Sequence, residues 1–211
     1  MICAVVLAAG RSERMGRQKL LLPLGGKPVI TRIVDELLGS EIERVLVVTG
    51  GNGERVREAL DNRLIQFEEN PDRASDMLGS VRCGLRGLPT DCDAVMVALG
   101  DQPGICTELV NELVRCFRED TSRIVLPMHL GRRGHPVLLG SQYCEEILCR
   151  YDGSGLRGFL DAHAANVRCV EVATPTILED MDTPGDYCRQ QERFATRSRG
   201  DRFAAVADEV Q

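Results

Sequence analysis

Residues 2–10 read ICAVVLAAG, and residues 11–28 continue RSERMGRQKLLLPLGGKP. Positions 2–9 are apolar without a break, and the run stops at Gly10. An aliphatic run of strand length with no polar alternation belongs to a strand covered on both faces, as in a parallel sheet. The segment after it is polar and basic, with Arg11, Arg14, Arg17 and Lys19 against the acid Glu13. Gly10 and Gly16 let the backbone turn sharply and bring its N–H groups close to a ligand. A buried strand that opens into a basic, glycine-containing loop has the build of a phosphate cradle. Two common versions of that cradle fail on spacing. Gly10 to Lys19 lacks the glycine interval of G-x-x-x-x-G-K-[ST], and Leu20 follows the lysine. The cluster Gly50, Gly51, Asn52, Gly53 would need a glycine at position 56 for a dinucleotide fingerprint, and Val56 stands there. An ordinary strand-to-helix turn suits that cluster.

Further runs of strand length lie at 44–49, 64–67, 94–99, 124–127, 136–139 and 167–172. Between them apolar residues recur at helical spacing. Val29, Ile33, Val34, Leu37 and Leu38 do so in 28–38, and Leu109, Val110, Leu113, Val114 and Phe117 in 105–117. Segments 54–60 and 76–88 carry weaker versions. This alternation predicts an α/β fold with three layers around a mainly parallel sheet. The rhythm breaks at IVLPMHLGRRGHPVLLG, residues 124–140, whose two apolar halves predict a hairpin or an antiparallel excursion. Arg189, Arg193 and Arg197 recur every four residues, the pattern of a solvated helix face. No repeat or linker divides the chain. We expect one domain over residues 1–190, then a helix end and tail over 191–211, loosely held from about residue 200.

Composition narrows the classes. The 211 residues are 43% hydrophobic, enough for one sizeable core. The formal net charge of −6 gives no general attraction to nucleic acid or anionic lipid, so neither is expected as a partner. The N-terminal apolar run is far short of the ~18 residues of a membrane span. It also lacks the basic lead of an export signal. These features predict a soluble, cytoplasmic protein. Nine cysteines without a C-x-x-C pair predict reduced, mostly buried thiols. Three histidines without H-x-x-x-H spacing argue against a structural zinc site.

Acids stand at two promising places. Asp101 follows the run 94–99 and Gly100, at the carboxyl end of a strand expected to be central. Open α/β sheets place their ligands at such ends. Asp101 could also cap the helix expected near Ile105. In ILEDMDTPGDY, residues 177–187, Asp180 and Asp182 flank Met181. We expect them to face opposite sides of an extended chain, so that one looks into the site. Asp182 could also open a helix at Thr183-Pro184.

The stretch LAAGRSERMGRQKLLLPLGGKPV, residues 7–29, resembles the signature loop of the MobA-like NTP transferases, nucleotidyltransferases that activate molybdenum cofactor. Within them it is most similar to the molybdenum cofactor cytidylyltransferase (MocA-type) branch. Later blocks follow in the family's order: DMLGSVRCGL at 76–85, VALGDQPG at 97–104, GRRGHPVLLG at 131–140, DGSGLRGFL at 152–160 and DMDTPGDY at 180–187. The likeness extends to about residue 190. It implies a Rossmann-like, nucleotide-diphospho-sugar-transferase fold. It also implies Mg²⁺-dependent transfer of CMP from CTP to the phosphate of molybdopterin or molybdenum cofactor, with release of pyrophosphate. Carried over by motif, the resemblance assigns nucleotide contacts to Leu7, Ala8, Ala9, Gly10, Arg11, Arg14, Lys19, Ser80 and Asp101. Arg14, Lys19 and Asp101 take catalytic roles, and Asp182 joins Asp101 as metal ligand. Magnesium suits such a pair, being a hard cation held by one or two carboxylates plus substrate phosphates. Arg133, His135 and Arg157 would bind the acceptor. In the family the block around Arg157 reads closer to GDxGAR, and this chain departs from it with GSGLR. Guanine-reading members tend to have LAGG where residues 7–10 here are LAAG, which implies cytosine. A molybdoenzyme or its accessory chaperone is implied as a partner.

The chemistry needs little acid or base. The attacking phosphate is already an anion, and catalysis is positioning plus charge stabilisation. Arg14 and Lys19 are expected on the β- and γ-phosphates. Three other readings compete: an NAD(P)H-dependent oxidoreductase, because some dye reductases resemble the family; an accessory protein that hands the cofactor on; and nucleotidyl transfer to another phosphorylated small molecule, which the fold alone permits.

Overall fold

In chain order the elements are β1 (Ile2–Ala8), β2 (Pro23–Leu24), β3 (Lys27–Pro28), α1 (Val29–Leu38), β4 (Arg44–Thr49), α2 (Gly53–Ala59), β5 (Gln66–Glu69), α3 (Met77–Arg86), β6 (Ala94–Leu99), α4 (Thr107–Glu119), β7 (Ile124–His129), β8 (Arg132–Arg133), β9 (Val137–Gly140), α5 (Cys144–Cys149), α6 (Gly155–Ala162), β10 (Val167–Glu171) and α7 (Pro184–Ala207). The computed structural model describes the chain except Arg11, Glu13, Arg14, Asn52, Arg73 and residues 208–211. For residues 197–207 it describes the helical backbone alone.

The main sheet runs β10-β7-β9-β6-β1-β4-β5, with β8 paired to β7. The apolar run at the N-terminus becomes its centre: β1 pairs in parallel with β4 on one side and β6 on the other. Period-two alternation then sorts the side chains. Ala4, Val6 and Ala8 of β1, Val45 and Val47 of β4, and Met96 and Ala98 of β6 face a core with Ile30, Ile33, Leu37, Val110 and Leu113 of α1 and α4. Val5, Leu46, Val48, Val95 and Val97 face the other way, onto Leu78, Val81, Ile147 and Phe159 of α3, α5 and α6. Two cores around one sheet give the three-layer, mainly parallel α/β architecture.

The excursion at 124–140 is antiparallel, as its sequence predicts. β8 folds back on β7, and β9 lies antiparallel between β6 and β7. Three details differ from expectation. β5 begins at Gln66, two residues after the start of the run 64–67 that pointed to it, because Leu64 is 97% exposed and contributes nothing to the sheet. β7 continues to His129, where pairing with β8 holds it. The cysteines are free thiols but less buried than expected: Cys3, Cys92 and Cys116 are buried, four are half-buried, and Cys149 and Cys188 are exposed.

The last helix starts from a reciprocal cap. The Thr183 hydroxyl accepts from the Asp186 N–H at 3.3 Å, and the Asp186 carboxylate accepts from the Thr183 N–H at 2.7 Å. Pro184 stands at the first helical position, where its missing N–H costs nothing. Along α7, Arg189 pairs with Asp186 and Arg193 with Glu179, a solvated face tied down locally. The Arg197 side chain lies outside the described residues. Among the described residues no helix is long and apolar enough to cross a membrane.

Candidate functional site

Three parallel strands, β4, β1 and β6, end side by side, and a glycine follows each outer one. The Gly100 N–H donates to the Leu7 carbonyl at 3.0 Å. A Cβ on Gly100 would lie 2.7 Å from that oxygen, and one on Gly50 would lie 2.9 Å from the Ala9 oxygen. Any larger residue at either place would push the strand ends apart. Gly50 also turns the chain into α2, since the Gly53 N–H bonds its carbonyl at 2.8 Å. Gly50 and Gly53 thus make the strand-to-helix turn expected of the cluster, whose Asn52 lies outside the described residues.

Over this edge opens a cleft of about 1050 Å³. Leu7, Ala8, Ala9 and Gly10 lie along it with Gly50 and Gly51, and Ser12, Gln18 and Lys19 come from the loop after β1. Asn70, Asp72, residues 74–77 and Ser80 line it from the β5–α3 side, and Leu99, Asp101, Asp180 and Asp182 from the β6 side. All of the sequence-expected nucleotide contacts that the structure describes thus meet in one cleft. Arg11 and Arg14 lie outside the described residues. Arg17 is exposed and does not line the cleft.

At one end two carboxylates converge on one cation. Lys19 Nζ lies 2.5 Å from Asp101 Oδ2 and 2.7 Å from Asp182 Oδ1. The lysine side chain is only 11% exposed. Burial alone would lower its pKa, but the charge of Asp101 and the hydrogen bonds to both carboxylates outweigh this and hold it above the ordinary lysine value. Neither acid is spent on a cap. Cys106, not Asp101, precedes α4, and Thr183 caps α7 in place of Asp182. Among the described residues no group of three or more His, Cys, Asp or Glu forms a metal cage. The Asp101–Asp182 pair, already meeting one cation through oxygen atoms, is the donor set a hard divalent ion could use.

The expectation for Asp180 is corrected. Asp180 and Asp182 both line the cleft. Residues two apart in an extended chain share a face, and the residue between them takes the other. Met181 is that residue: it is fully buried in the core, and its N–H bonds the Asp101 carbonyl at 3.0 Å. Asp180 Oδ1 accepts from Gln102 Nε2 at 2.7 Å. Asp180 is reachable from the cleft, yet its crowded surroundings and the charges of Asp101 and Asp182 raise its pKa against that hydrogen bond.

Sequence reasoning also missed Asn70. It is 7% exposed. Its N–H bonds the Thr49 carbonyl at 2.8 Å, and its Nδ2 donates to Ser75 Oγ at 2.9 Å and Ser80 Oγ at 3.2 Å. Its Oδ1 accepts from the Asp72 N–H at 3.1 Å. One amide therefore ties the end of β4, the 70–76 loop and α3 together. The only signal in the chain was Asn-Pro, which reads as a turn.

The expected acceptor residues stand outside this cleft. His135 enters β9 beside the acid end, its N–H bonded to the Ile177 carbonyl at 3.2 Å. Burial pushes its imidazole below the ordinary value, against the pull of the Asp101 charge. Arg133 is exposed on β8, with Nη1 3.9 Å from Asp161 Oδ1 on α6. Arg157, also exposed, lies one helical turn before Asp161.

A family model described as the MobA-like NTP transferase domain matches residues 4–167. Among curated proteins, the chain is 28% identical to the molybdenum cofactor cytidylyltransferase of Escherichia coli, over 92% of this chain and 97% of that protein. It is 30% identical to the molybdenum cofactor guanylyltransferase of Mesorhizobium japonicum, over 89% and 93%. It is also 28% identical to the nicotine blue oxidoreductase of Paenarthrobacter nicotinovorans, over 86% and 92%. Among solved structures, a nucleotidyl transferase of Methanothermobacter thermautotrophicus superposes with a TM-score of 0.81 at 27% identity, over 93% of this chain and 99% of that one. A cleft at the end of β1, a carboxylate pair on a buried lysine and a family match over most of the chain agree: the protein belongs to the MobA-like NTP transferases and is a nucleotidyltransferase.

Proposed function

We propose that the protein transfers CMP from CTP to the phosphate of molybdopterin-type cofactor, with Mg²⁺, releasing pyrophosphate. The observation that carries this reading is the convergence of Asp101 and Asp182 on Lys19 at the end of the cleft floored by residues 7–10. The oxygen donors of that pair fit Mg²⁺, which when bound supplies neutralisation of the triphosphate charge. The chain's own residues do the rest. Backbone N–H groups after β1 and the Lys19 ammonium hold phosphate oxygens, with Arg14 and Arg11 from the same loop. Leu7, Ala8, Ala9 and Ser80 border the base. The acceptor approaches from the side of His135, whose depressed pKa leaves a neutral imidazole able to donate or accept one hydrogen bond. Arg133 and Arg157 offer charge to its phosphate. No side chain needs to remove a proton, since a phosphate oxygen attacks the α-phosphate directly.

Cytosine is favoured by Ala9 within LAAG and by the likeness to a cytidylyltransferase; the guanylyltransferase relative makes GTP the competitor to test. The test is pyrophosphate release with Mg²⁺, molybdenum cofactor extracted from a molybdoenzyme, and each of the four nucleoside triphosphates. Release with CTP alone is the expected result. Release with GTP alone overturns the base assignment, and no release with any triphosphate overturns the acceptor. A second reading is NAD(P)H-dependent oxidoreduction, favoured by the likeness to a nicotine blue oxidoreductase. NAD(P)H oxidation by the same sample would establish it. The setting fits an intracellular step that serves a molybdoenzyme or its chaperone.

A further inference from the structure

The Lys19 side chain and the proposed metal compete for one place. Its ammonium sits where the Asp101 and Asp182 oxygens converge, at 2.5 and 2.7 Å. Yet the lysine is also a natural partner for the phosphates of a bound triphosphate. The backbone that carries it is fixed: the Lys19 N–H donates to Ser12 Oγ at 3.2 Å, Lys19 opens a 3₁₀ turn that ends at Leu21, and Leu20 is buried in the core. Only the four-carbon stem is left to move. A lysine can do this because its charge is compact and its stem flexible.

We infer that Lys19 is a built-in stand-in for the metal, so that the divalent ion enters the site with the nucleotide rather than ahead of it. The inference rests on the reading of the site as a metal-dependent nucleotidyltransferase. Without a cation, two half-buried carboxylates so close would repel one another. The ammonium removes that repulsion in the empty protein. A bare dication arriving alone must evict it, leaving a nearly buried ammonium next to a double positive charge. A triphosphate changes the balance, because its oxygens receive the ammonium while the dication takes the carboxylates. Affinity for metal and for nucleotide then rise together, and by linkage each raises the other by the same factor. The empty site is kept closed to stray dications by the same side chain that later binds phosphate.

The experiment is a Mn²⁺ titration of the full-length protein without nucleotide, read by the electron paramagnetic resonance signal of free Mn²⁺. Lys19→Met is expected to bind one Mn²⁺ at least tenfold more tightly than the wild type. The double variant Lys19→Met/Asp101→Asn is expected to lose that gain, which locates the ion. Equal or weaker binding by Lys19→Met overturns the inference, as does a gain that survives Asp101→Asn. Circular dichroism checks the fold of each variant, and Lys19→Gln carries the same comparison if the methionine variant does not fold. Because no nucleotide is present, the result stands whichever triphosphate the protein uses. A failed pyrophosphate assay with an intact Mn²⁺ effect would therefore refute the CTP or acceptor assignment alone.

Discussion

Asn70 Nδ2 donates to Ser80 Oγ at 3.2 Å, joining the end of β5 to the first turns of α3 across a buried contact. The same amide holds Ser75, so the side chain that borders the cleft and the one that shapes its wall hang from one residue. Asn70→Ala is expected to destabilise the protein by about 1–3 kcal/mol, as loss of a buried hydrogen-bonding hub does. It should raise the KM for nucleotide more than it lowers kcat. Thermal denaturation and steady-state kinetics check both parts; an unchanged KM would show that the wall does not touch the nucleotide.

Asp101→Asn and Asp182→Asn each keep the side-chain shape while removing a charge from the lysine pair. Each is expected to lower the rate of pyrophosphate release by about 10²–10³, the scale of losing one preorganised electrostatic contact. Melting temperatures should change little. Asp180→Asn, whose carboxylate bonds Gln102 instead of Lys19, should cost less than either.

The cap of α7 bears on the site because Asp182 immediately precedes it. Thr183→Ala removes the hydroxyl that accepts from the Asp186 N–H. A loss of about 1 kcal/mol is expected, a fall in Tm of about 2–4 °C for a chain of this size. Thr183→Ser should restore most of it. Calorimetry on the three proteins decides.

Asp35 pairs with Arg63 at 2.7 Å and with Lys27 at 2.9 Å, and none of the three lines the cleft. Burial would raise its pKa, but the hydrogen bonds from Arg63 and Lys27 outweigh that and hold it below the usual carboxylate value. Its contribution is therefore complete above the unfolded-state pKa of about 3.9 and vanishes as pH falls through the lower folded value. Asp35→Asn should cost about 1 kcal/mol or less at pH 7, since the Lys27 partner is exposed. The gap to the wild type should close as the medium is taken below pH 4. Urea unfolding at a series of pH values measures it.

The buried parts of the fold were legible because burial writes itself as uninterrupted aliphatic sequence. β4 and β6 fall at 44–49 and 94–99, where the apolar runs are. Where a strand lies at the sheet edge the signal fails: β5 carries Gln66, Phe67, Glu68 and Glu69, while the apolar Leu64 before it points into solvent. The acids at 101 and 182 were legible through the ordered motifs, and the structure brings both to Lys19. Asp180 was misjudged through strand parity. Asn70 was invisible, because its importance comes from joining the nearby Asp72 and Ser75 to Ser80 and to Thr49, the last 21 residues before it, and no local pattern records that.

β9 runs antiparallel to its neighbours β6 and β7, and this has a consequence for how such a protein can diversify. Val137 pairs with Val97, so the start of β9, not its end, lies beside the acid end of the cleft. The cleft is floored by strands that finish there, whereas His135 arrives just ahead of a strand that begins there. On the proposed function, the acceptor side is segment 130–136, which is held by β7 and by the Ile177 carbonyl and not by β1, β4 or β6, so it can change while those three strands keep their pairing. On that proposal, one fold can keep a single donor chemistry and change its customer.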